Sequence, residues 1–102
     1  MKGYIIKVTY LTGRHKGHVY YMRKGGYVTS ADGYKFESDV YTTLGIAKSV
    51  CTKLYKSNEL NHRVELKDME YRAAKGKENR DWMIYERESY EPYEVDYSKD
   101  IV

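Results

Sequence analysis

Apolar and polar positions alternate strictly near the start of the chain. Tyr4, Ile6, Val8 and Tyr10 fall on one face of an extended segment, and Ile5, Lys7 and Thr9 on the other. The loop Thr12-Gly13-Arg14-His15-Lys16-Gly17 follows, and His18 to Arg23 is again rich in β-formers. This pattern predicts a β-hairpin with a basic tip. Gly25-Gly26 breaks the run, and Asp32-Gly33 suits a tight turn between short strands at Tyr27–Ser30 and Tyr34–Glu37. Thr42-Thr43 then offers an N-cap, because a threonine hydroxyl accepts from the free amides of a first helical turn. Leu44, Ala47, Val50, Cys51 and Leu54 recur at helical spacing and predict one main helix over about 43–58, fading at Asn58 to Asn61.

Beyond that the pattern conflicts with itself. Val64, Leu66, Met69 and Tyr71 fit a strand with a phase break or a helix ending before Gly76, while Trp82-Met83-Ile84-Tyr85 reads as a strand. The reading adopted is a second hairpin, 63–73 and 81–88, across the polar loop Lys75 to Asp81. The expected fold is therefore α+β: a small antiparallel sheet built from N-terminal and C-terminal hairpins, packed against one helix. Residues 1–88 form the domain, and 89–102 an acidic, tyrosine-rich tail carrying the only proline, Pro92.

Composition changes the picture of the core. Charged residues make up 32% of the 102, and Leu, Ile, Val and Phe together number only nineteen. Thirteen tyrosines supply the missing apolar area. A tyrosine buries its ring and keeps its hydroxyl near water or a partner. A folded domain with a thin, tyrosine-rich core follows, and a homodimer would bury more of that surface. The single cysteine cannot form an internal disulfide, and no apolar stretch approaches a membrane span. The expected location is the cytoplasm, with no membrane association.

Charge is sorted along the chain. Residues 1–56 hold ten Lys and Arg against three Asp and Glu, whereas 57–102 hold eight against twelve. The first half favours a polyanion and the second does not.

Candidate chemistries are few. His15, His18 and His62 with one cysteine give no four-ligand zinc set, so neither a metal nor a cofactor is expected. Gly13 and Gly17 bracket Arg14-His15-Lys16, yet no Gly-Lys-Ser/Thr follows and no helix begins there, as a phosphate cradle requires. Cys51 with His62 is the one conceivable nucleophile and base, and Cys51 lies on the apolar side of the helix, where thiolates are inert. No catalytic residue is expected, and the chain reads as a non-enzyme.

Binding is better supplied. Arg14, Lys16, Arg23, Lys24 and Lys35 are interleaved with Tyr20, Tyr21, Tyr27 and Tyr34, combining phosphate-holding cations with rings that stack on bases. Among them, Arg14, Lys16, Tyr20, Arg23, Lys24, Tyr27 and Lys35 are the candidates for contacting a partner or a nucleic acid. The ordinary alternative is a solvated hairpin whose edge lysines discourage aggregation. The acidic end offers a competing signal in Glu88, Tyr90, Glu91, Tyr93, Glu94, Asp96 and Tyr97. Such a strip fits a basic groove of a protein partner, with the tyrosines as anchors.

The opening Lys/Tyr-rich hairpin, the segment Tyr41-Thr42-Thr43-Leu44-Gly45-Ile46-Ala47-Lys48 and the Trp82-Met83-Ile84-Tyr85 strand carry a resemblance. In size and style the whole chain resembles the small accessory proteins of phages and mobile elements in low-GC Gram-positive bacteria. Some proteins of that kind are anti-CRISPR inhibitors that occupy the nucleic-acid groove of a type II effector nuclease. The resemblance implies a bacterial host cytoplasm and an inhibitor or host-takeover role through protein–protein contact. The net charge of +3 departs from the strongly acidic DNA mimics in that group. Direct DNA or RNA binding by the basic hairpin is the alternative.

Overall fold

The computed structural model describes residues 1–32, 37–76 and 87–97. Its elements are β1 (Lys2–Tyr10), β2 (Val19–Met22), β3 (Val28–Thr29), a 3-10 turn (Glu37–Asp39), α1 (Leu44–Ala74) and β4 (Glu88–Asp96). The strands form one antiparallel sheet in the order β3-β2-β1-β4, and α1 packs against β1 and β4. The architecture is the α+β arrangement that the alternation and the helical stripe predict. The first hairpin stands where expected, in the register Thr9↔Val19 to Ile6↔Met22. The third strand is cut to Val28–Thr29. Of the expected fourth strand, 34–36 lie outside the described residues and Glu37 opens the 3-10 turn.

The helix is where expectation and structure part most. Thr43 caps it as predicted, its hydroxyl accepting from the Ile46 amide at 3.3 Å. Instead of fading at Asn58, α1 continues through Ala74, for 31 residues and about 46 Å. The expected strand at 63–73 is its second half. Two facts explain the error. Asn58 does not cap its own backbone; it is buried, and its side-chain oxygen accepts the Glu88 amide at 3.0 Å. The i,i+4 pairs Glu59–Arg63 and Asp68–Arg72 then support turns whose apolar residues share no single stripe. The predicted strand around Trp82-Met83-Ile84-Tyr85 lies outside the described residues.

The acidic tail is also corrected. From Glu88 to Asp96 it is β4, paired along its whole length with β1, Lys2↔Asp96 to Tyr10↔Glu88. The sheet therefore joins the start of the chain to its acidic end, and the expected C-terminal hairpin is replaced by one strand. Pro92 fits because of ladder parity. Leu11 donates to the Arg87 carbonyl and Tyr97 to the Met1 carbonyl, so odd-numbered residues of both strands face each other. Even-numbered positions of β4 turn their amide side to the free edge, where a proline costs no ladder bond. At one end of that edge Asn58 covers the Glu88 amide.

Both faces of β1 are buried, against different things. Ile6 and Val8 meet Ala47 and Cys51 of α1. Ile5, on the face turned away from the helix, clusters with Val40, Val95 and Tyr97. Gly3 makes that second cluster feasible. A Cβ there would lie 2.7 Å from Val40 Cγ2 and 3.0 Å from the Tyr97 ring. Gly3→Ala is expected to cost about 1–3 kcal/mol, read from a urea midpoint, because a methyl must displace two packed side chains. An unchanged midpoint would show that Val40 and Tyr97 yield freely.

Candidate nucleic-acid interface

The helix covers one side of the sheet, and the tyrosines divide accordingly. On the helix side Tyr10 stacks on His15 and Tyr20 at centroid distances of 5.5 and 5.4 Å, and His15 on His18 at 5.7 Å. Glu88 accepts from the Tyr20 hydroxyl at 3.1 Å and the Tyr90 hydroxyl at 2.6 Å. Burial, then the Glu88 carboxylate beside it, pushes the Tyr20 hydroxyl far above the usual phenol range. Tyr20 is therefore a member of a ring ladder, and Tyr90 is tied to it through Glu88.

That ladder holds the tip of the first hairpin. Gly17 donates to the Tyr10 carbonyl at 2.9 Å and His18 to the His15 carbonyl at 2.9 Å. Gly13 and Gly17 take φ of 81° and 88°, the left-handed region that glycine enters without strain. The loop is thus built, and Arg14 and Lys16 are exposed on it. Neither cation has an ion-pair partner among the described residues.

On the opposite side the sheet carries an aromatic and basic row. Arg23 follows Met22, the partner of Ile6, and so falls beside Ile5. Across β2 and β3 Arg23 donates its amide to the Tyr27 carbonyl at 3.0 Å, and its guanidinium lies 5.3 Å from the Tyr27 ring centroid. Across β1 and β4 Ile5 pairs with Tyr93. Tyr93 meets Tyr21 edge to face, with centroids 5.1 Å apart at 60°. Tyr21 is the cross-strand partner of Lys7. Register thus places Tyr27, Arg23, Tyr21, Lys7 and Tyr93 on one face. Tyr27 is 64% exposed and Tyr93 37%.

The acidic residues expected to form a docking strip are largely engaged within the sheet. Lys2 pairs with Glu94 at 3.5 Å and with Asp96 at 3.2 Å, and Lys7 with Glu91 at 3.6 Å. Its hydrogen bond to Asp96 raises the Lys2 ammonium above its ordinary value. Arg23 is held by Asp39 at 3.5 Å, and Arg87 by Glu59. Tyr97, expected as an exposed anchor, is buried against Gly3. Lys24 stays exposed in the β2–β3 turn, its amide donating to the Asp39 carbonyl at 2.9 Å. Lys35 lies outside the described residues. The two candidate sets, read as opposite ends of the chain, belong to one sheet and are separated by β1.

Lys7 and Tyr21 share this candidate face but were absent from the sequence candidates. Their signal was the alternation itself, which puts Ile5, Lys7 and Thr9 on the face away from Ile6 and Val8. Which of the two faces the helix covers was not encoded in that alternation.

Other chemistry fits the structure poorly. Burial pushes the Cys51 thiol above its ordinary value, and His62 stands eleven residues further along the same helix, about 16 Å away along its axis. The two are not a nucleophile–base pair. Among the described residues no group of three or more His, Cys, Asp and Glu side chains is placed to hold a metal ion. Among them no helix is long and apolar enough to cross a membrane. Comparison with known protein families, with curated proteins and with solved structures gives no match.

Proposed function

We propose that the protein is a non-enzymatic nucleic-acid-binding module whose first hairpin grips phosphates. One observation carries this reading: Arg14 and Lys16 stand exposed, without ion-pair partners among the described residues, on a loop fixed by backbone bonds and a ring ladder. A rigid loop loses little conformational freedom when its cations engage, so their charge goes into binding. The nearby carboxylates that could compete are occupied. Glu88 serves two tyrosines, and Glu91, Glu94 and Asp96 are satisfied by lysines of β1.

Affinity for a nucleic acid should fall steeply with salt, by roughly one unit of log–log slope per phosphate neutralised. The double charge reversal Arg14→Glu, Lys16→Glu should flatten that slope by about two units. Fluorescence anisotropy across a salt series reads both. No binding at low salt, or the same slope in the variant, sinks the proposal.

A second reading is a phage-type inhibitor that docks on a protein partner, such as the nucleic-acid groove of a CRISPR effector nuclease. The exposure of Tyr93, Glu94 and Asp96 on the free edge strand favours it. It has less support than the first, because Lys2 already pairs with both of those carboxylates. Affinity purification of the full chain from a Gram-positive host, with and without nuclease treatment, separates the two. A partner retained after nuclease favours the inhibitor.

A further inference from the structure

We infer that the sheet face turned away from α1 stacks unpaired bases, so that the nucleic acid taken is single-stranded. This inference rests on the nucleic-acid reading above and names the strand class.

Three observations carry it. The first is the fate of the tyrosine hydroxyls. On the helix side Tyr20 and Tyr90 donate to Glu88. On the opposite side the hydroxyls of Tyr21, Tyr27 and Tyr93 make no hydrogen bond among the described residues. Their rings are held by other rings and by Arg23, and their polar tips are left for a partner.

The second is their placement. Tyr27, Arg23, Ile5 and Tyr93 lie in one row across β3, β2, β1 and β4. Three strand spacings separate Tyr27 from Tyr93, about 14 Å. Between Arg23 and Tyr93 the row is held by Ile5, which is wholly buried in the cluster with Val40, Val95 and Tyr97, so the exposed rings flank a packed centre. Two exposed rings on a rigid base form a stacking platform of the kind that takes bases without reading sequence.

The third is the charge around the platform. Arg23 and Lys7 lie within it, each steadied by a carboxylate, Asp39 and Glu91 respectively. Lys24 flanks it in the β2–β3 turn, and Arg14 and Lys16 stand at the other end of β2. Cations therefore border the rings at both ends of β2. A backbone can follow them while its bases lie on the tyrosines. A duplex cannot use this arrangement. Its base planes are covered by their neighbours in the stack, and only unpaired bases present a free face.

The test uses the full chain and a labelled oligothymidylate of about 20 nucleotides, which does not pair with itself, against a duplex of equal length. The wild type should prefer the single strand. Tyr27→Ala and Tyr93→Ala should each weaken single-strand binding roughly five- to a hundredfold. Tyr27→Phe and Tyr93→Phe should retain most of the affinity, since stacking needs the ring and not the hydroxyl. Unchanged melting temperatures confirm that the variants stay folded, which Tyr27 favours by its exposure. Single-strand affinity unchanged in both alanine variants, with binding still lost on reversing Arg14 and Lys16, overturns the platform and leaves the basic loop standing. A preference for duplex overturns it as well. No binding to either probe removes the nucleic-acid reading itself.

Discussion

Deleting Ser89–Val102 should leave a chain with no cooperative unfolding transition. The deletion removes β4, which is paired with β1 from Lys2 to Tyr10. It also removes Val95 and Tyr97, exposed by only 4% and 7%. An aromatic side chain buries ~150–250 Å², and at ~25 cal/mol per Å² these two residues contribute on the order of 5 kcal/mol. A domain of this size has ~5–15 kcal/mol in total. The loss also exposes Ile5 and strips one edge of β1. Thermal circular dichroism is the measurement, and a sigmoidal melt in the truncated chain would contradict the role given to β4. Loss of a partner on such a truncation would report unfolding, so the acidic residues are better probed singly, by Glu94→Lys in the intact chain.

Ile5→Ala should destabilise the protein by about 2–5 kcal/mol, the largest effect expected of a single substitution here. Ile5 is fully buried, and it lies on the face without the helix. Its neighbours Val40, Val95 and Tyr97 come from two separate stretches of chain, neither of which can close the gap alone. The cavity would open beneath Tyr21 and beside Tyr93, so the tyrosine row should loosen as stability falls. Urea denaturation gives the midpoint shift, with the slope unchanged if both states keep their compactness. A loss below about 1 kcal/mol would mean that this face collapses around the missing atoms.

The candidate interface was half legible in the sequence. Arg14, Lys16, Arg23 and Tyr27 could be named because glycines and alternation mark a hairpin and its tip. Tyr20, named among the contact candidates, falls by parity on the helix side, where Glu88 takes its hydroxyl. Tyr97 was named wrongly because nothing local signals that Gly3, 94 residues earlier, leaves room for its ring. The charge sorting between halves was real, but pairing β4 with β1 sets Lys2 and Lys7 against the acids and cancels much of it.

By itself the sequence determined the local elements: the alternation of β1, the basic turn, the cap at Thr43 and the stripe from Leu44 to Leu54. These depend on residues within a few positions of one another, and local propensity and periodicity report them. Tertiary structure alone decided that the acidic end is a strand, that Asn58 continues a helix instead of ending it, and which sheet face the helix covers. Each of those outcomes hangs on a bond or packing contact between distant residues: the ladder joining β1 to β4, the Glu88 amide on Asn58, and α1 lying over Ile6 and Val8. Such contacts carry energy only once the chain has closed, and no local pattern records them.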